Sequence, residues 1–428
     1  MRRVVITGLG CFLPCGDNIE NTWEGILNKE CWIKENNKFN TENCKSKIAS
    51  FFEINDEIVE KYKDVVSSKD KRRLDDFIYI ALLASYNAMK DSGLLGAKNE
   101  ETGKFIGDYD SERFGTFITS GIGGLKTIQE TIIAMKEKGA KRAISPFLLP
   151  STLINMVAGN VAMKFNLTGA VMTHVSACAS STHSIGEAFE YIKSGKLDKC
   201  LAGGSESAVC EIGIGGFDAM NALSTRNDDP QHSSRALDKD RDGFVMGEGS
   251  VILVLEELAS AKKRGAKIYC EVVGYGATCD AYHITSPDKE GKGAKKAMEL
   301  AIEEAGLKPK NIDYINLHGT STPVGDVCEI NAIKKTFGDY ANKVAISSTK
   351  SATGHLLGAT GALEAMFCAK TLETQTIPPS INIENLDENC VGMNIIQDAE
   401  KQEINTTLSN SFGFGGTNGT LVFKRYVD

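Results

Sequence analysis

The residue whose surroundings point most directly to chemistry is Cys178, in the stretch Val-Ser-Ala-Cys-Ala-Ser-Ser-Thr-His. The apolar run 171–175 predicts a buried strand, and the i, i+3, i+4, i+7 apolar pattern from Ile185 to Ile192 predicts a helix that ends at Gly195. A thiol in the turn between them lies at a helix N-terminus, where the helix dipole and unpaired N–H groups favour a thiolate. This is the arrangement of a nucleophile elbow with sulfur in place of oxygen. The alternative is an inert, packed cysteine.

Two of the six histidines stand where side chains meet a cleft. His318 follows the predicted strand 314–317 and precedes the turn sequence Gly-Thr-Ser-Thr-Pro, whereas His355 is predicted to lie at a helix start. Near a helix N-terminus an imidazole tends to stay neutral, because the dipole disfavours the cation. A neutral imidazole can donate an N–H to a developing oxyanion or enolate. Taken singly, each histidine is more often structural than functional.

Composition limits the class of protein. The chain has 428 residues, 42% of them hydrophobic and 24% charged, which is typical of a globular enzyme of one large or two to three ordinary domains. No apolar run reaches the roughly 18 residues that span a bilayer, and no signal peptide pattern precedes the strand pattern at Val4. The net charge of −8 argues against nucleic acid as the main partner. We therefore expect a cytoplasmic protein without membrane or nucleic-acid partners.

The cysteine, glycine and acidic patterns predict no cofactor and no metal. The twelve cysteines are scattered without a C-x-x-C pair, so neither a disulfide framework nor a zinc site is indicated, and free thiols are expected. Gly8-Leu-Gly10 lacks the third glycine of a dinucleotide fingerprint. The charged segment 237–244 lacks the ligand spacing of an EF-hand and is predicted to be a solvated, loop-rich insertion.

The second half of the chain repeats the first in outline. Five strand and helix units recur in the same order, beginning with strands 4–10 and 267–274, each of which runs into a Gly-x-Gly pattern. Such duplication predicts two related α/β halves, which we assign to residues 1–256 and 257–428. It also places the elbow with Cys178 and the elbow with His355 at corresponding positions. If the halves pack about a pseudo-twofold axis, these residues face one another across a shared cleft.

Four motifs in this order resemble those of the β-ketoacyl-[acyl carrier protein] synthases. They are Val-Ser-Ala-Cys178-Ala-Ser, His318-Gly-Thr-Ser-Thr-Pro-Val-Gly-Asp, Ser-Thr-Lys350-Ser-Ala-Thr-Gly-His355-Leu-Leu-Gly-Ala and Asn410-Ser-Phe-Gly-Phe-Gly-Gly-Thr-Asn418. The resemblance spans almost the whole chain and is strongest to the type II elongating enzymes. One departure is the run Ala-Ser-Ser-Thr-His after the nucleophile, where Thr-Ser-Gly-Val-His is expected, and these small residues should fit the turn.

The resemblance implies a fold, an activity and partners. The implied fold is the thiolase-like α/β fold, with two duplicated halves in five αβαβα layers. The implied activity is decarboxylative Claisen condensation of malonyl-[acyl carrier protein] with a cysteine-bound acyl chain, which extends the chain by two carbons in fatty acid biosynthesis. The implied partners are an acyl carrier protein and a second copy of the chain in a homodimer.

The resemblance also implies roles for individual residues. Cys178 attacks the acyl thioester, and His318 and His355 donate to the enolate. The backbone N–H groups of Cys178 and Phe414 form an oxyanion hole. Lys350 orients the site electrostatically and Glu364 holds the loop in place, although a structural ion pair between them is an equally good interpretation. Thr320, Thr322 and Thr285 are assigned to the pantetheine arm, Ile122, Ala177 and Phe217 to the acyl tunnel, and Phe414 to a mobile gate.

Two basic clusters stand out against the negative net charge. One lies in the run 69–73 and includes Lys69 and Arg72, and the other is Lys141 with Arg142. Clustered positive charges could steer an acidic carrier protein to the site. A solvated charged run is the alternative for the first cluster.

Three further classes of protein could carry a cysteine and histidines: a cysteine hydrolase, a related condensing enzyme and a non-catalytic scaffold. A cysteine hydrolase wants one base oriented by Asn or Asp, so a second histidine at a separate elbow favours condensation. Initiating synthases resemble a Cys-His-Asn set, and thiolases carry a second cysteine in the late glycine-rich loop, which here reads Phe-Gly-Phe-Gly-Gly. A non-catalytic scaffold leaves Cys178 and both histidines unexplained.

Overall fold

Most of the predicted strands join one large sheet in a computed structural model that describes residues 2–67 and 69–427. The sheet has eleven strands in the order β14-β12-β11-β16-β17-β10-β1-β9-β8-β6-β7. The strands are β1 (Val4–Phe12), β2 (Lys34–Glu35), β3 (Ile48–Ala49), β4 (Ala97–Lys98), β5 (Phe105–Ile106), β6 (Phe114–Thr119), β7 (Val171–Met172), β8 (Lys199–Glu206), β9 (Gly249–Glu257), β10 (Cys270–Cys279), β11 (Tyr314–Asn316), β12 (Ala345–Ser347), β13 (Thr376–Ile377), β14 (Asn394–Ile395), β15 (Glu400–Lys401), β16 (Thr406–Gly413) and β17 (Thr417–Lys424).

Helices cover both faces of this sheet. They are α1 (Ile19–Leu27), α2 (Asp56–Lys61), α3 (Asp76–Asp91), α4 (Leu125–Lys138), α5 (Ala140–Ala143), α6 (Leu148–Thr152), α7 (Met156–Lys164), α8 (Ser180–Lys193), α9 (Glu211–Ala219), α10 (Leu258–Lys263), α11 (Lys292–Glu304), α12 (Gly325–Phe337), α13 (Lys350–Thr353) and α14 (Thr360–Thr374). In residues 2–67 and 69–427, no helix combines the length and the apolarity needed to cross a bilayer.

The strand order shows the duplication predicted from the sequence. From the central antiparallel pair of β1 and β10, the order outward is β1-β9-β8-β6-β7 on one side and β10-β17-β16-β11-β12 on the other. Each position in the first series has its equivalent in the second, and β14 adds one strand beyond β12. The two series therefore share one topology.

Helix packing gives the predicted layers. The helices α8 and α14 contact each other and strands of both series, so they form the central layer. On the outside, α3 and α7 pack against strands of the first series, whereas α11 packs against β10 and β17 with α12 beside it. The two strand series are the two β layers, with α8 and α14 between them and the other helices outside. This is the order αβαβα, and the predicted fold class is confirmed.

Paired glycines let each inner strand approach its outer helix. A β-carbon on Gly10 of β1 would lie 2.1 Å from the carbonyl oxygen of Ala84 in α3, and one on Gly276 of β10 would lie 2.0 Å from that of Ala297 in α11. Gly8 and Gly274 meet their helices in the same way, two residues earlier in each strand. Both Gly-x-Gly patterns are therefore strand-to-helix contacts.

Two local predictions are wrong. The run 171–175 is not a buried strand, because β7 has only two residues and pairs with β6 at the edge of the sheet, and Val171 and Val175 are 45% and 53% exposed. The charged segment 237–244 is not a solvated insertion, because Asp238 and Arg241 are buried. The guanidinium of Arg241 donates to Asp387 at 2.7 Å and to backbone carbonyls, so the charges are used internally.

Gly10→Ala tests the close approach of β1 to α3. The added methyl group would meet helix backbone, which cannot move aside, so we expect a loss of about 3 kcal/mol in unfolding free energy, at the upper end of overpacking costs. Gly216→Ala in α9 is the matched control, because a β-carbon there meets nothing within 4 Å. Thermal unfolding should show a lower Tm only for Gly10→Ala, and equal values for both variants would contradict the packing.

Candidate active site

Cys178 lies at a sharp turn, as predicted. A short 3₁₀ helix, Ala177–Ala179, leads directly into α8, and Ala177 has a φ of +50°. A non-glycine residue in this region costs on the order of 1–3 kcal/mol. The hydroxyl of Ser180 stabilises the turn, because it accepts from the Ser176 N–H at 2.8 Å and donates to the Ala177 carbonyl at 2.7 Å.

The thiol of Cys178 is protonated at neutral pH. Burial raises its pKa to about 12, which outweighs the ammonium of Lys350, and the carboxyl of Glu206 raises the pKa further. The predicted thiolate is therefore wrong for the free protein, because desolvation exceeds the effect of the helix N-terminus. The side chain is only half-buried and borders a cavity, so the thiol stays accessible to a ligand.

A second elbow of the same shape lies in the other half. The 3₁₀ helix Leu357–Ala359 leads into α14, and Leu357 has a φ of +48°. The residue equivalent to Cys178 is therefore Gly358, and the prediction that His355 occupies that place is wrong by three residues. A β-carbon on Gly358 would lie 2.2 Å from the backbone nitrogen of Gly121, so no side chain can stand there.

The two histidines lie together. The rings of His318 and His355 are perpendicular, with centroids 5.5 Å apart. Burial, helped by the ammonium of Lys350, lowers the pKa of both imidazoles well below the usual range, so both are neutral at pH 7. The neutral state agrees with the prediction, but desolvation rather than the helix dipole is its main cause.

Each histidine is fixed by a different contact. The backbone N–H groups of His318 and Gly319 each donate to the carboxylate of Glu329 at 2.8 Å. The Nδ1 atom of His355 lies 3.0 Å from the hydroxyl of Thr360 at the start of α14. One turn and one helix end thus hold the two rings.

A cavity of about 370 Å³ brings the predicted residues together. Its lining includes Cys178, His318, His355, Phe414, Phe217, Thr285, Thr320 and Thr322. Lys350 is buried and forms an ion pair with the equally buried Glu364. Burial raises the pKa of the Glu364 carboxyl, and the ammonium of Lys350 opposes this shift. The hydroxyls of Thr320 and Thr322 lie 3.2 Å apart.

Several polar atoms at this cavity lack protein partners. Within residues 2–67 and 69–427, the Nε2 atom of His355 and the Nδ1 atom of His318 are buried and accept or donate no hydrogen bond. The backbone N–H groups of Cys178 and Phe414 donate none to the backbone or side chains of that same part of the chain. Buried polar groups are normally satisfied, so such groups at a cavity suit a polar ligand.

An apolar wall lies behind the cavity. Phe217 stacks edge-on against Phe244 with centroids 5.2 Å apart, and Phe244 in turn meets the ring of His355 at 5.3 Å. Ile122 packs into the same apolar cluster. Neither Ile122 nor Ala177 is among the residues that line the cavity itself. Ile122 therefore adjoins the cavity through the apolar cluster that it shares with Phe217, whereas Ala177 is next to Cys178 in the 3₁₀ helix.

The two predicted basic clusters lie away from the cavity. Lys69, Arg72, Lys141 and Arg142 are exposed, and none of them lines it. Arg73 stacks its guanidinium over the ring of Phe147, 4.7 Å from the centroid. Because Phe147 follows the second cluster by five residues, this contact brings both clusters to one surface.

The sequence analysis missed four residues that shape the site. Glu329 binds the His318 turn, Phe244 and Phe412 contact the histidine rings, and Glu206 binds the turn with Ile122. A signal existed for Glu206, since a carboxylate ends the apolar strand that begins at Cys200. Charged residues are almost never fully buried unless they are paired, so such a position is worth examining.

Family comparisons agree with this geometry. The family description "Beta-ketoacyl synthase, N-terminal domain" matches residues 1–261, and "Beta-ketoacyl synthase, C-terminal domain" matches residues 269–384. The chain is 44% identical over 427 residues to the 3-oxoacyl-[acyl-carrier-protein] synthase 2 of Coxiella burnetii, covering 100% of this chain and 99% of that protein. It is 45% identical to the protein of the same name from Vibrio cholerae, with 99% of each covered.

Solved structures share the whole fold. One is a type II PKS acyl-carrier protein in complex with its ketosynthase bound to the hexaketide, whose matched chain has a TM-score of 0.87 and 31% identity with all of both chains covered. Another is a beta-ketoacyl synthase from Burkholderia phymatum STM815, with a TM-score of 0.87, 33% identity and the same coverage.

Lys350→Met tests the electrostatics of the thiol. The ammonium lowers the pKa of Cys178, so its removal should raise that pKa and slow alkylation of Cys178 by iodoacetamide at pH 8. A rise of one unit would slow the reaction about tenfold, because the thiolate is the reactive form. Cys279, an exposed thiol of the same chain, is the internal control and should react at an unchanged rate. Equal or faster labelling of Cys178, measured by peptide mass spectrometry, would refute this coupling.

Proposed function

This chain belongs to the β-ketoacyl synthase family, and we propose that it extends a Cys178-bound acyl chain by decarboxylative condensation with malonyl-[acyl carrier protein] in fatty acid biosynthesis. Its relatives named 3-oxoacyl-[acyl-carrier-protein] synthase 2 match it from end to end. The observation that carries the proposal is the convergence of one thiol and two neutral imidazoles on one cavity. That set suits the two stages of an acyl condensation.

In the first stage Cys178 gives up its thiol proton as its sulfur attacks the thioester of an acyl carrier protein. A new carbon–sulfur bond forms, the bond to the carrier sulfur breaks, and the proton of Cys178 leaves with the carrier thiol. Because the Cys178 thiol starts protonated, this exchange creates no net charge in the buried site. The tetrahedral oxygen would be bound by the free N–H groups of Cys178 and Phe414.

In the second stage malonyl carrier protein loses carbon dioxide. The electron pair of the broken bond forms an enolate, whose carbon attacks the acyl thioester and releases the Cys178 sulfur as a thiolate, which then takes up a proton from solvent to restore the thiol. The enolate oxygen needs donors, and His318 and His355 each keep a buried ring nitrogen without a protein partner. We assign the Thr360 hydroxyl as donor to Nδ1 of His355, which leaves the proton on Nε2.

Lys350 would act on this site by its charge. Its ammonium lowers the pKa of Cys178 and of both histidines, and so favours the thiolate and the neutral rings. Glu364 holds that ammonium in place. A cysteine hydrolase would orient its histidine with Asn or Asp, whereas His355 has the hydroxyl of Thr360 as its neighbour. This contact favours condensation over hydrolysis.

We assign the remaining cavity residues by their position. Thr320, Thr322 and Thr285 all line the cavity, and their hydroxyls suit the amides of a pantetheine arm. Phe414 is followed by Gly415 and Gly416, and both glycines have a positive φ. A backbone with such conformational freedom suits a mobile gate. Ile122, Ala177 and Phe217 would border the acyl chain at the apolar end.

Carrier docking is assigned to the basic surface formed by Lys69, Arg72, Lys141 and Arg142. The contact between Arg73 and Phe147 supports a single surface, and all four side chains are exposed. A related ketosynthase was solved with an acyl-carrier protein bound. Positive side chains are suited to steer an acidic carrier.

A homodimer is supported by the edge of the sheet at β7. The exposed apolar side chains near this edge and on α4 are Ile128, Ile132, Ile133, Met135, Val171 and Val175. Large exposed apolar patches and free strand edges are features of protein interfaces. A second copy of the chain would cover them.

Domain division and location complete the proposal. The division into halves 1–256 and 257–428 is supported by the shared strand order, although β9 itself ends at Glu257. A cytoplasmic location is supported by the twelve cysteines, all of which are free thiols, as is typical of a reducing compartment.

Separate assays of the two half-reactions test the roles of the site residues. Acyl carrier protein substrate should acylate Cys178 alone among the twelve cysteines. His318→Ala and His355→Ala should lose malonyl decarboxylation by about 10²–10³-fold, the cost of one oxyanion donor, while retaining part of self-acylation. Mass spectrometry of the acylated protein and release of labelled carbon dioxide measure the two stages.

Cys279→Ala is the control for the acylation assay and should leave the acyl group on Cys178. Acylation of another cysteine, with Cys178→Ala still active, would disprove the mechanism. Equal loss of both half-reactions in both histidine variants would favour a general base instead.

Ile122→Phe tests the acyl tunnel. Each buried methylene contributes roughly 0.8 kcal/mol, so four further methylenes contribute about 3 kcal/mol, on the order of a hundredfold in affinity. The larger ring should remove this gain for a fourteen-carbon substrate and leave a six-carbon substrate little affected. The measurement is kcat/KM for both lengths. A parallel fall for both would indicate overpacking of a core residue and exclude Ile122 from the tunnel.

A further inference from the structure

Glu206 is a buried carboxylate at the end of β8 that the condensation chemistry leaves unexplained. Its side chain has no exposure to solvent, and no cation pairs with it in residues 2–67 and 69–427. Burial raises its pKa, whereas its hydrogen bonds lower it. A fully buried carboxyl without a counter-ion is expensive unless donors surround it.

Four donors surround this carboxylate, and they come from two segments. Oε1 accepts from the hydroxyl of Ser120 at 2.5 Å and from the N–H of Ile122 at 3.2 Å. Oε2 accepts from the N–H of Gly121 at 2.7 Å and from that of Gly358 at 2.9 Å. One side chain therefore binds both the turn with Ile122 and the tip of the second elbow.

The two segments also touch directly. A β-carbon on Gly121 would lie 3.2 Å from the nitrogen of Gly358, and one on Gly358 would lie 2.2 Å from the nitrogen of Gly121. Backbone meets backbone here, with the carboxylate between the two N–H groups. Because His355 lies three residues before Gly358, the same contact fixes the segment that carries a histidine of the site.

We propose that Glu206 is a positioning residue for chain-length selection, which clamps the Ile122 turn to the second elbow so that the apolar end of the site keeps its shape. The inference rests on the proposed acyl tunnel and adds the group that sets its wall. Ile122 has an N–H bound by Glu206 and a side chain packed against the same buried apolar cluster as Phe217, so a shift of the turn moves the tunnel wall. Long acyl chains would reach this wall and short ones would not.

Glu206→Gln keeps the shape and removes the charge. An amide offers one oxygen and one NH₂ group to three N–H donors and a hydroxyl, so at least one N–H loses its acceptor. Amide hydrogen exchange in peptides covering 120–123 and 356–360 should become faster. The ratio of kcat/KM for fourteen-carbon over six-carbon substrate should fall about tenfold, well within the hundredfold cost of an ångström-scale misplacement.

Glu248→Gln is the matched control. Glu248 is also fully buried, but its partners are Lys38, Ser207 and the N–H of Val209. This variant also loses a buried carboxylate and can lose stability for that reason, but its contacts do not include the Ile122 turn. The ratio of kcat/KM for the fourteen-carbon and six-carbon substrates should therefore equal that of the wild type. A ratio in Glu206→Gln that equals that of Glu248→Gln, or exchange rates that are equal in both, would overturn the proposal.

Ser120→Ala decides the question if Glu206→Gln does not fold. It removes one donor from the carboxylate and leaves the three backbone contacts, so the ratio should fall in the same direction, by about threefold, as expected for one lost hydrogen bond. An unchanged ratio would then overturn the proposal. If Ile122→Phe shows no length selectivity, the tunnel and the clamp fail together. If Ile122→Phe is selective while Glu206→Gln is not, the role of Glu206 alone is refuted.

Discussion

Desolvation between the two central helices is the constraint on which the site depends. Cys178, His318 and His355 line one cavity and Glu364 lies in the first turns of α14, and burial is the first cause of the shifted pKa of each. Burial disfavours charge, so the thiol keeps its proton and both rings stay neutral. The buried Lys350 and Glu364 are tolerated because they form a pair.

The two halves contribute unequal parts to this site. The first supplies the thiol and the apolar wall, and the second supplies both histidines and the ion pair. Their shared strand order brings α8 and α14 side by side, so residues that are far apart in the chain line one cavity. The glycine pairs of β1 and β10 allow the outer helices to pack closely on each half.

Much of this could be predicted from the sequence, and the failures have physical reasons. Apolar patterns located α8 and the strands β1, β10 and β11, and the turn at Cys178 followed from its small residues. The prediction that the fold favours a Cys178 thiolate was wrong because the depth at which a side chain is buried depends on the tertiary structure and cannot be derived from a local sequence pattern. The strand 171–175 was wrong because an edge position depends on what the fold places beside it.

The burial and the hydrogen-bond partners of charged residues were the least predictable features. Asp238 and Arg241 look like surface residues in the sequence, yet the fold brings Asp387 and two carbonyls to the guanidinium from distant segments. Glu206 was missed for the same reason, since two of its four donors are backbone N–H groups of the Ile122 turn and a third comes from a segment more than a hundred residues away. Backbone N–H groups are present at nearly every residue, so the sequence does not indicate which of them will bind a given carboxylate.

The second elbow has a consequence for stoichiometry. Duplication gave the chain two turns of one shape, but Gly358 leaves no room for a side chain and its N–H is already bound by a carboxylate oxygen of the protein. A nucleophile therefore cannot be transplanted to the second turn without rebuilding the contact with Gly121. The duplication repeated the fold but provides a place for a nucleophile in only one half. On the proposed mechanism each polypeptide therefore holds one acyl group at a time, and any further acyl group in an assembly is carried by another copy of the chain.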